Sequence, residues 1–468
     1  MAEPLWTAAD IAAATGGRIE RSFEANGVSI DTRTIEPGDL FIALGGARDG
    51  HEFVAQAMAK GAAGVLASRP VEAPAVMVDD TFRALEQLGL AARERAPQVR
   101  RGAVTGSVGK TSVTQAIMAG LKLAGPAHSS VKSYNNHIGV PLTLARMPRG
   151  VERAIFEIGM NHADEIRPLT QMVRPHAVTV TTVGPVHTEN FPDGEAGVAR
   201  AKAEIFEGLE PGGVAVLNAD NRWFSPLKAA AEAAGARVRA FGTGEGCDAR
   251  LVDFQVVEGP GQPHAVVQAR LDGKALDFPI LQTGFHWGPN SMAVLLMLQA
   301  LDVDLSDSLA ALGSFEPLAG RGAERQVSKG RGAFTLIDES YNANPVSMAS
   351  AIATLGARGA EGRRIVALTD MLELGPEGPA FHADLAEALE AATIDLVFCA
   401  GPLMKSLWDA LPPTRRGGYA ETAAELAPQV AHAVEPGDVV MVKGSNGSKA
   451  GAIAQALAAL GSGSGGAA

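Results

Sequence analysis

Cysteine is almost missing from this chain of 468 residues, where Cys247 and Cys399 are the only two. Two thiols build neither a disulfide framework nor a structural zinc centre, and their scarcity points to a reducing compartment. Long apolar runs are missing too. None reaches the roughly 18 residues that a membrane-spanning helix needs, so no membrane insertion is expected. The start, Met1-Ala2-Glu3-Pro4-Leu5-Trp6, has neither the basic region nor the apolar core of a signal peptide, and a cytoplasmic location is expected. Positive charge is in deficit: 40 Lys and Arg face 52 Asp and Glu, a net charge of −12 that disfavours broad nucleic-acid binding. Any anionic ligand must therefore be held by local lysines, arginines and helix ends. What is present is ordinary for a soluble globular protein, with 46% hydrophobic and 20% charged residues. The length suits about two to four domains.

One stretch organises the rest. Gly106-Ser107-Val108-Gly109-Lys110-Thr111-Ser112 lies between an apolar strand ending near Val104 and a helix in which Val113, Ile117 and Leu121 share a face. A glycine loop there points backbone N–H groups at one spot, at the positive end of a helix, so an anion fits. Lys110 adds a charge for outer phosphates and Thr111 a hydroxyl for Mg²⁺. The common phosphate-loop pattern has a further glycine where this chain has Val104, so the form here is the shorter Gly-x-x-Gly-Lys-Thr-Ser.

Before this loop, Thr7-Ala8-Ala9-Asp10 reads as a capping box and Gly16-Gly17 as its helix stop. Short apolar runs follow at 28–30, 40–44, 64–67 and 75–78, with helical patterns at 52–60 and 81–95. Two polar spots stand out, Asp31-Thr32-Arg33 and Asp49-Gly50-His51. The first either holds a phosphate or a uracil or is a solvated turn.

After the loop, strands at 154–158, 177–183 and 214–217 alternate with helices, which implies a mostly parallel sheet. Ligands of such sheets sit beyond the carboxyl ends of the strands. Glu157 and His187 fall there. A carboxylate suits Mg²⁺ and an imidazole can complete its shell, although a lone loop histidine is otherwise a surface residue. Residues 251–278 alternate like an antiparallel ribbon, and Gly284 to Asn290 opens a long helix to Leu301. A glycine-hinged linker at 316–321 leads to four buried-type strands at 334–337, 365–368, 396–399 and 439–442. Polar residues follow them: Asp338, Asn342, Asn344, Asp370 and Lys443. The expected fold is α/β in three domains: a small N-terminal α/β domain (1–98), a central P-loop ATPase-like parallel-sheet domain (99–314) and a C-terminal doubly wound, Rossmann-like domain (315–460). A flexible tail closes the chain (461–468).

Several runs together resemble the Mur ligases, ATP-dependent amide-forming enzymes of peptidoglycan precursor synthesis. They are Thr105 to Ser112, Asn135-Asn136-His137-Ile138-Gly139, Glu157-Ile158-Gly159-Met160-Asn161-His162, Ala201-Lys202-Ala203-Glu204, Asp338-Glu339-Ser340-Tyr341-Asn342, Asp370-Met371-Leu372-Glu373-Leu374-Gly375 and Val442-Lys443-Gly444-Ser445. The resemblance covers essentially the whole chain. It implies that Lys110 and the loop residues Gly106, Ser107, Val108, Gly109, Thr111 and Ser112 hold ATP phosphates, with Asn290 near the adenine. Arg321 would reach the phosphates from the hinge and Asp338 from the C-terminal domain. It implies Mg²⁺ on Thr111 and Glu157, a second on His187, and Lys202 as a carbamate ligand. Lys110, Lys202 and Arg321 would carry the catalysis. Asp31, Thr32 and Arg33 fall where the family holds UDP, and Asn135 and Asn136 near the muramoyl group. The hinge reads Leu318-Ala319-Gly320-Arg321 where the family often has Val-Pro-Gly-Arg. The implied substrates are UDP-N-acetylmuramoyl-tripeptide and D-alanyl-D-alanine, acted on by a monomer. Rivals are another Mur-type or a folate polyglutamate ligase and, in a different class, a non-catalytic nucleotide switch.

Overall fold

The structure is a computed structural model and describes residues 3–46, 48–131, 133–257 and 263–462. The expected α/β class is what it shows, with four sheets in chain order. Near the N-terminus, Trp6–Thr7 pairs with Glu24–Ala25. A five-stranded sheet follows in the order Arg18–Ile19, Ala75–Met77, Gly64–Ala67, Asp39–Ile42, Gly27–Ser29, all parallel except the first pair. The capping box is present in full: Thr7 accepts from the Asp10 N–H, Asp10 from the Thr7 N–H, and Gly16 ends the helix at φ 68°.

The central sheet has nine strands. Its parallel part runs Arg237–Gly242, Val214–Asn218, Ala177–Val180, Arg100–Thr105, Arg153–Glu157, Ala127–Ser129. The ribbon expected at 251–278 does not stand apart. Ala249–Val257, His264–Leu271 and Lys274–Ile280 are antiparallel to each other and extend this same sheet beyond Arg237–Gly242. Residues 258–262 of that ribbon lie outside the described part. Val113, Ile117 and Leu121 are fully buried, as their spacing predicts. Packing exceeds the periodic signal, since Ala116, Met118 and Gly120 are buried too. The helix is held between the sheet and the largely apolar helix Trp287–Ala300.

The C-terminal sheet runs Ala323–Lys329, Gly332–Glu339, Val439–Lys443, Arg364–Thr369, Leu396–Ala400, Arg416–Ala420, with only its first pair antiparallel. Val439–Lys443, last in sequence, is inserted between the first two parallel strands, so the loops after these three strands converge at a switch point. Ser445 stitches them: its hydroxyl donates to Ala343 O and accepts from Leu372 N.

Three expectations shift in detail. The strand expected to reach Val183 ends at Val180, so the stretch that carries His187 is loop. Asp338 and Lys443 are strand residues, not loop residues after strands. Of the expected tail, Leu460–Ser462 forms a last 3₁₀ turn, and 463–468 lie outside the described residues.

The three regions are joined differently. One apolar cluster contains Trp6, Ile11, Leu85 and Leu88 together with Leu142 and Ala145 of the central region. Trp6 Nε1 donates to Ala145 O at 2.8 Å, and Arg95 stacks on the Trp6 ring at 4.1 Å. The clusters of the C-terminal region contain only residues from Val327 onward. That region meets the rest through polar contacts and the turn Gly320-Arg321-Gly322, whose glycines have φ 71° and 92°. Small polar interfaces of this kind permit relative motion.

Candidate functional site

Three strand ends build the site. Arg100–Thr105 stops at Thr105, and Gly106 turns the chain at φ 148°. A Cβ on Gly106 would lie 1.9 Å from Thr181 Oγ1, so no other residue fits. Val104, which replaces the usual glycine, is a fully buried strand residue paired with Glu157 and Thr179. The turn starts two residues later than the longer pattern would require, and the shorter form suffices. Thr181 Oγ1 donates to Val108 O at 2.5 Å, and Ser107 Oγ exchanges hydrogen bonds with Gly184 N and O. These tie the loop to the His187 segment. The helix Lys110–Leu123 then begins with no side-chain cap. Its first N–H groups stay available to an anion.

The other groups converge on a cavity of about 470 Å³ between the central and C-terminal regions. Its wall includes Ser107 to Ser112, Asn135, Glu157, His187, Asn290, Arg321, Glu339, Tyr341 and Lys443. Glu157 is 1% exposed. Asn135 Nδ2 donates to its Oε1 at 2.6 Å, and Oε2 has no partner. A buried carboxylate oxygen left bare costs about 1–3 kcal/mol or more, which a cation would offset. No cluster of three or more His, Cys, Asp and Glu forms a ready cation cage among the described residues. The acceptors that fit a cation are therefore Glu157 and the Thr111 hydroxyl, which suits an ion that also takes phosphate oxygens.

Positive charge dominates the wall. Burial pushes the Lys110 ammonium below its ordinary value, against the pull of Glu157, and Arg321 pushes the same way. Lys110 Nζ donates to Gly106 O at 2.8 Å. Arg321 Nη2 donates to Thr111 Oγ1 at 3.1 Å, and its guanidinium lies 4.1 Å from the centre of the Tyr341 ring. Thr111 also meets Ser133, and Ser133 meets the Tyr341 hydroxyl at 3.0 Å. This chain of contacts bridges the two regions.

Lys202 is 2% exposed on the helix Glu195–Ala203, although a helical lysine is ordinarily solvated. Its ammonium has no hydrogen-bond or ion-pair partner among the described residues. Burial, and then Lys110, drive its pKa well below the usual value. His187 is pushed to about 4 by burial and then by Lys110 and Lys202, so it is neutral at pH 7. Lys202, buried without a partner among the described residues, and half-buried Lys110 beside Arg321 suit a strongly anionic ligand.

Other candidates lie elsewhere. Asp338 is absent from the cavity wall, and its Oδ1 accepts from the Ser340 N–H and hydroxyl. Its neighbour Glu339 reaches the wall instead and pairs with buried Lys443 at 3.1 Å. Asn135 is at the wall, whereas Asn136 caps the helix Gly139–Ala145 through the N–H groups of Ile138 and Gly139. Asp31, Thr32 and Arg33 lie apart, in the turn after the N-terminal strand Gly27–Ser29. Asp31 pairs with exposed Arg33 at 2.6 Å, and Thr32 is buried against Gln56. His51 is held by Asp49 at 2.6 Å and accepts from the Ser68 N–H at 3.0 Å. Ser133, Tyr341, Glu339 and Glu373 escape sequence reasoning. Tyr341, Glu339 and Glu373 sit inside runs already singled out, but nothing in a single chain marks contacts made across a cleft.

Comparison with known proteins gives a consistent neighbourhood. Family profiles match in three blocks: the catalytic domain of the Mur ligase family at 24–111, the Mur ligase middle domain at 104–298 and the Mur ligase glutamate ligase domain at 325–446. The UDP-N-acetylmuramoyl-tripeptide–D-alanyl-D-alanine ligase of Rickettsia prowazekii is 30% identical, covering 95% of this chain and 98% of its own. The ligase of the same name from Escherichia coli is 35% identical over 80% and 81%. Among solved structures, MurF of Acinetobacter baumannii superposes with a TM-score of 0.83 at 28% identity, covering 97% and 98% of the two chains.

Proposed function

The chain belongs to the Mur ligase family, and from that premise we propose that it joins D-alanyl-D-alanine to UDP-N-acetylmuramoyl-tripeptide with ATP as the driving reagent. Relatives named for that reaction match along nearly the full chain. The observation that carries the reading is the convergence of the uncapped loop amides, Lys110, Arg321 and the orphaned oxygen of Glu157 on one interdomain cavity.

The tripeptide's terminal carboxylate attacks the γ-phosphorus of ATP, and ADP leaves. The D-alanyl-D-alanine amine then attacks the acyl carbon, and phosphate leaves with the carboxylate oxygen that bridged to it. Little of this needs covalent help from the protein, so positioning and charge neutralisation dominate. Lys110 and the loop amides face the phosphates from the central region. Arg321 faces them from the hinge, and Asn290 lies beside the loop on the nucleotide side. Thr111 and Glu157 would hold one Mg²⁺, and His187 with carbamylated Lys202 a second, and a divalent cation there supplies charge neutralisation at the phosphoryl oxygens. Carbamate formation turns a buried neutral amine into an anion and so resolves the uncompensated burial of Lys202. Closure of the C-terminal region keeps water from the acyl phosphate. In this reading residues 1–98 bind the UDP end through Asp31, Thr32 and Arg33, 99–314 bind ATP, and 315–460 supply the dipeptide side.

ADP release with UDP-N-acetylmuramoyl-tripeptide, with and without D-alanyl-D-alanine, tests this. Release should require both, and Lys110→Ala should lower it by about 10²-fold or more. ADP release indifferent to the dipeptide would favour a nucleotide switch instead.

A further inference from the structure

Two loops face each other at the mouth of the cavity. One follows the central strand Ala177–Val180 and carries His187 to Asn190. The other follows the C-terminal strand Arg364–Thr369 and carries Glu373 to Gly375. His187 has φ 60° and Glu373 has φ 63°. Each is a residue with a Cβ in the left-handed region, at a cost on the order of 1 kcal/mol or more. The loops are in direct contact, since a Cβ on Gly375, itself at φ 62°, would lie 3.1 Å from Glu189 Cβ. Across this contact Glu373 Oε2 lies 2.7 Å from His187 Nδ1. The approach is off the ring N–H direction, so it is a close charge–dipole contact and not an aligned hydrogen bond. Glu373 has no other side-chain partner among the described residues. Two facing residues held in strained backbone, one from each region, touch each other at the edge of the phosphate site.

The chemistry of imidazole gives the contact a use. A histidine that ligates a cation through one ring nitrogen almost always offers the other N–H to a carboxylate or carbonyl, which fixes its tautomer and orientation. No such partner for His187 exists within the central region among the described residues; the carboxylate comes from the C-terminal region. Nδ1 is turned to Glu373, which leaves Nε2 as the nitrogen directed away from it, and His187 lines the cavity beside Lys110 and Glu157.

We propose that Glu373 is a positioning residue for His187: the C-terminal region supplies the carboxylate that orients the imidazole for a divalent cation, and supplies it only when the cleft is closed. The inference rests on the reading of His187 as a cation ligand. Cation binding at His187 and closure of the C-terminal region are then one coupled equilibrium. By linkage, whatever factor closure adds to cation affinity, the cation adds to closure. The loop contact at Gly375 and Glu189 sets the approach, and Glu373 reports it to the site.

The test uses the full chain with Mn²⁺ as probe and a non-hydrolysable ATP analogue. Electron paramagnetic resonance measures free Mn²⁺, and small-angle X-ray scattering follows compaction against Mn²⁺ concentration. Glu373→Ala should weaken one of two Mn²⁺ sites by about 10–100-fold and move the compaction midpoint to higher Mn²⁺ by a similar factor. Glu373→Gln keeps the side chain's reach and a carbonyl dipole but loses the charge, so it should restore part of both. His187→Ala should lose that site altogether. Glu373 is 55% exposed in its side chain, so its variants remove no core contact. Wild-type Mn²⁺ affinity in Glu373→Ala, or tighter binding, alongside a lost site in His187→Ala, overturns the proposal and leaves the ligand reading standing. Two intact sites in His187→Ala overturn both.

Discussion

At Lys202 the chemistry is set first by burial. A lysine on an amphipathic helix normally extends its ammonium into water, and its neighbours in sequence give no sign of anything else. Here the side chain is enclosed and its pKa is depressed by desolvation first and Lys110 second. A neutral buried amine is a nucleophile that carbon dioxide can carbamylate. Lys202→Ala should lose most of the ligase activity, on the order of 10²-fold or more, and a short-chain carboxylate such as acetate should restore part of it. An Ala variant with unchanged turnover would remove the carbamate from the account. Glu157 is the converse case. Its position at a strand end is legible in the sequence, and so is the expectation that a buried acid there needs a cation. The Asn135 contact to Oε1 is not, because it joins that strand end to a loop with no periodic pattern. At Asp338 the pleat turns the side chain away from the cavity and presents Glu339.

Single elements were the most readable layer. The phosphate loop, the capping box at Thr7 and Asp10, and the strand Gly64–Ala67 sit where their residue chemistry puts them. The end of the strand Ala177–Val180 is not readable, since Thr181 to Val183 are all β-branched and β-prone while their backbone is already committed to holding the phosphate loop. One short strand, Ala127–Ser129, has a consequence for pH. Its His128 donates from Nε2 to Thr143 O at 2.7 Å, and burial lowers its pKa from 6.5 to about 4. Unfolded chain takes up the proton near pH 6.5 and folded chain only near 4. Stability is therefore full above pH 6.5, falls as pH drops through that window and levels off below it. From pH 7 to pH 5 this site alone should cost about 2 kcal/mol. In His128→Gln, the gap between urea midpoints at pH 7 and pH 5 should shrink by that amount. An unchanged gap would mean that His128 already titrates normally.

The whole molecule divides by what joins its parts. Apolar burial fuses the N-terminal region to the central one, whereas the C-terminal region is attached by a glycine turn and by polar contacts such as Arg321 to Thr111. Sequence showed the turn at Gly320 but not this asymmetry, because Trp6 and Ala145 lie far apart in the chain. Trp6→Ala should cost about 3–5 kcal/mol and loosen the N-terminal and central regions together, read as a common downward shift in their protection from hydrogen exchange. Protection of the C-terminal sheet should not change. In the proposed mechanism the same asymmetry would serve catalysis, since the cleft that would open for two substrates and close over an acyl phosphate lies at the weaker joint.

In the proposed reaction the ATP γ-phosphoryl group passes to the tripeptide's acid end before the amide forms. UDP-N-acetylmuramoyl-tripeptide carrying ¹⁸O in its terminal carboxylate reads this step. After turnover with ATP and D-alanyl-D-alanine, the account predicts one ¹⁸O in each phosphate released and the other retained in the new amide carbonyl. Phosphate free of the label, with amide formed all the same, would contradict it.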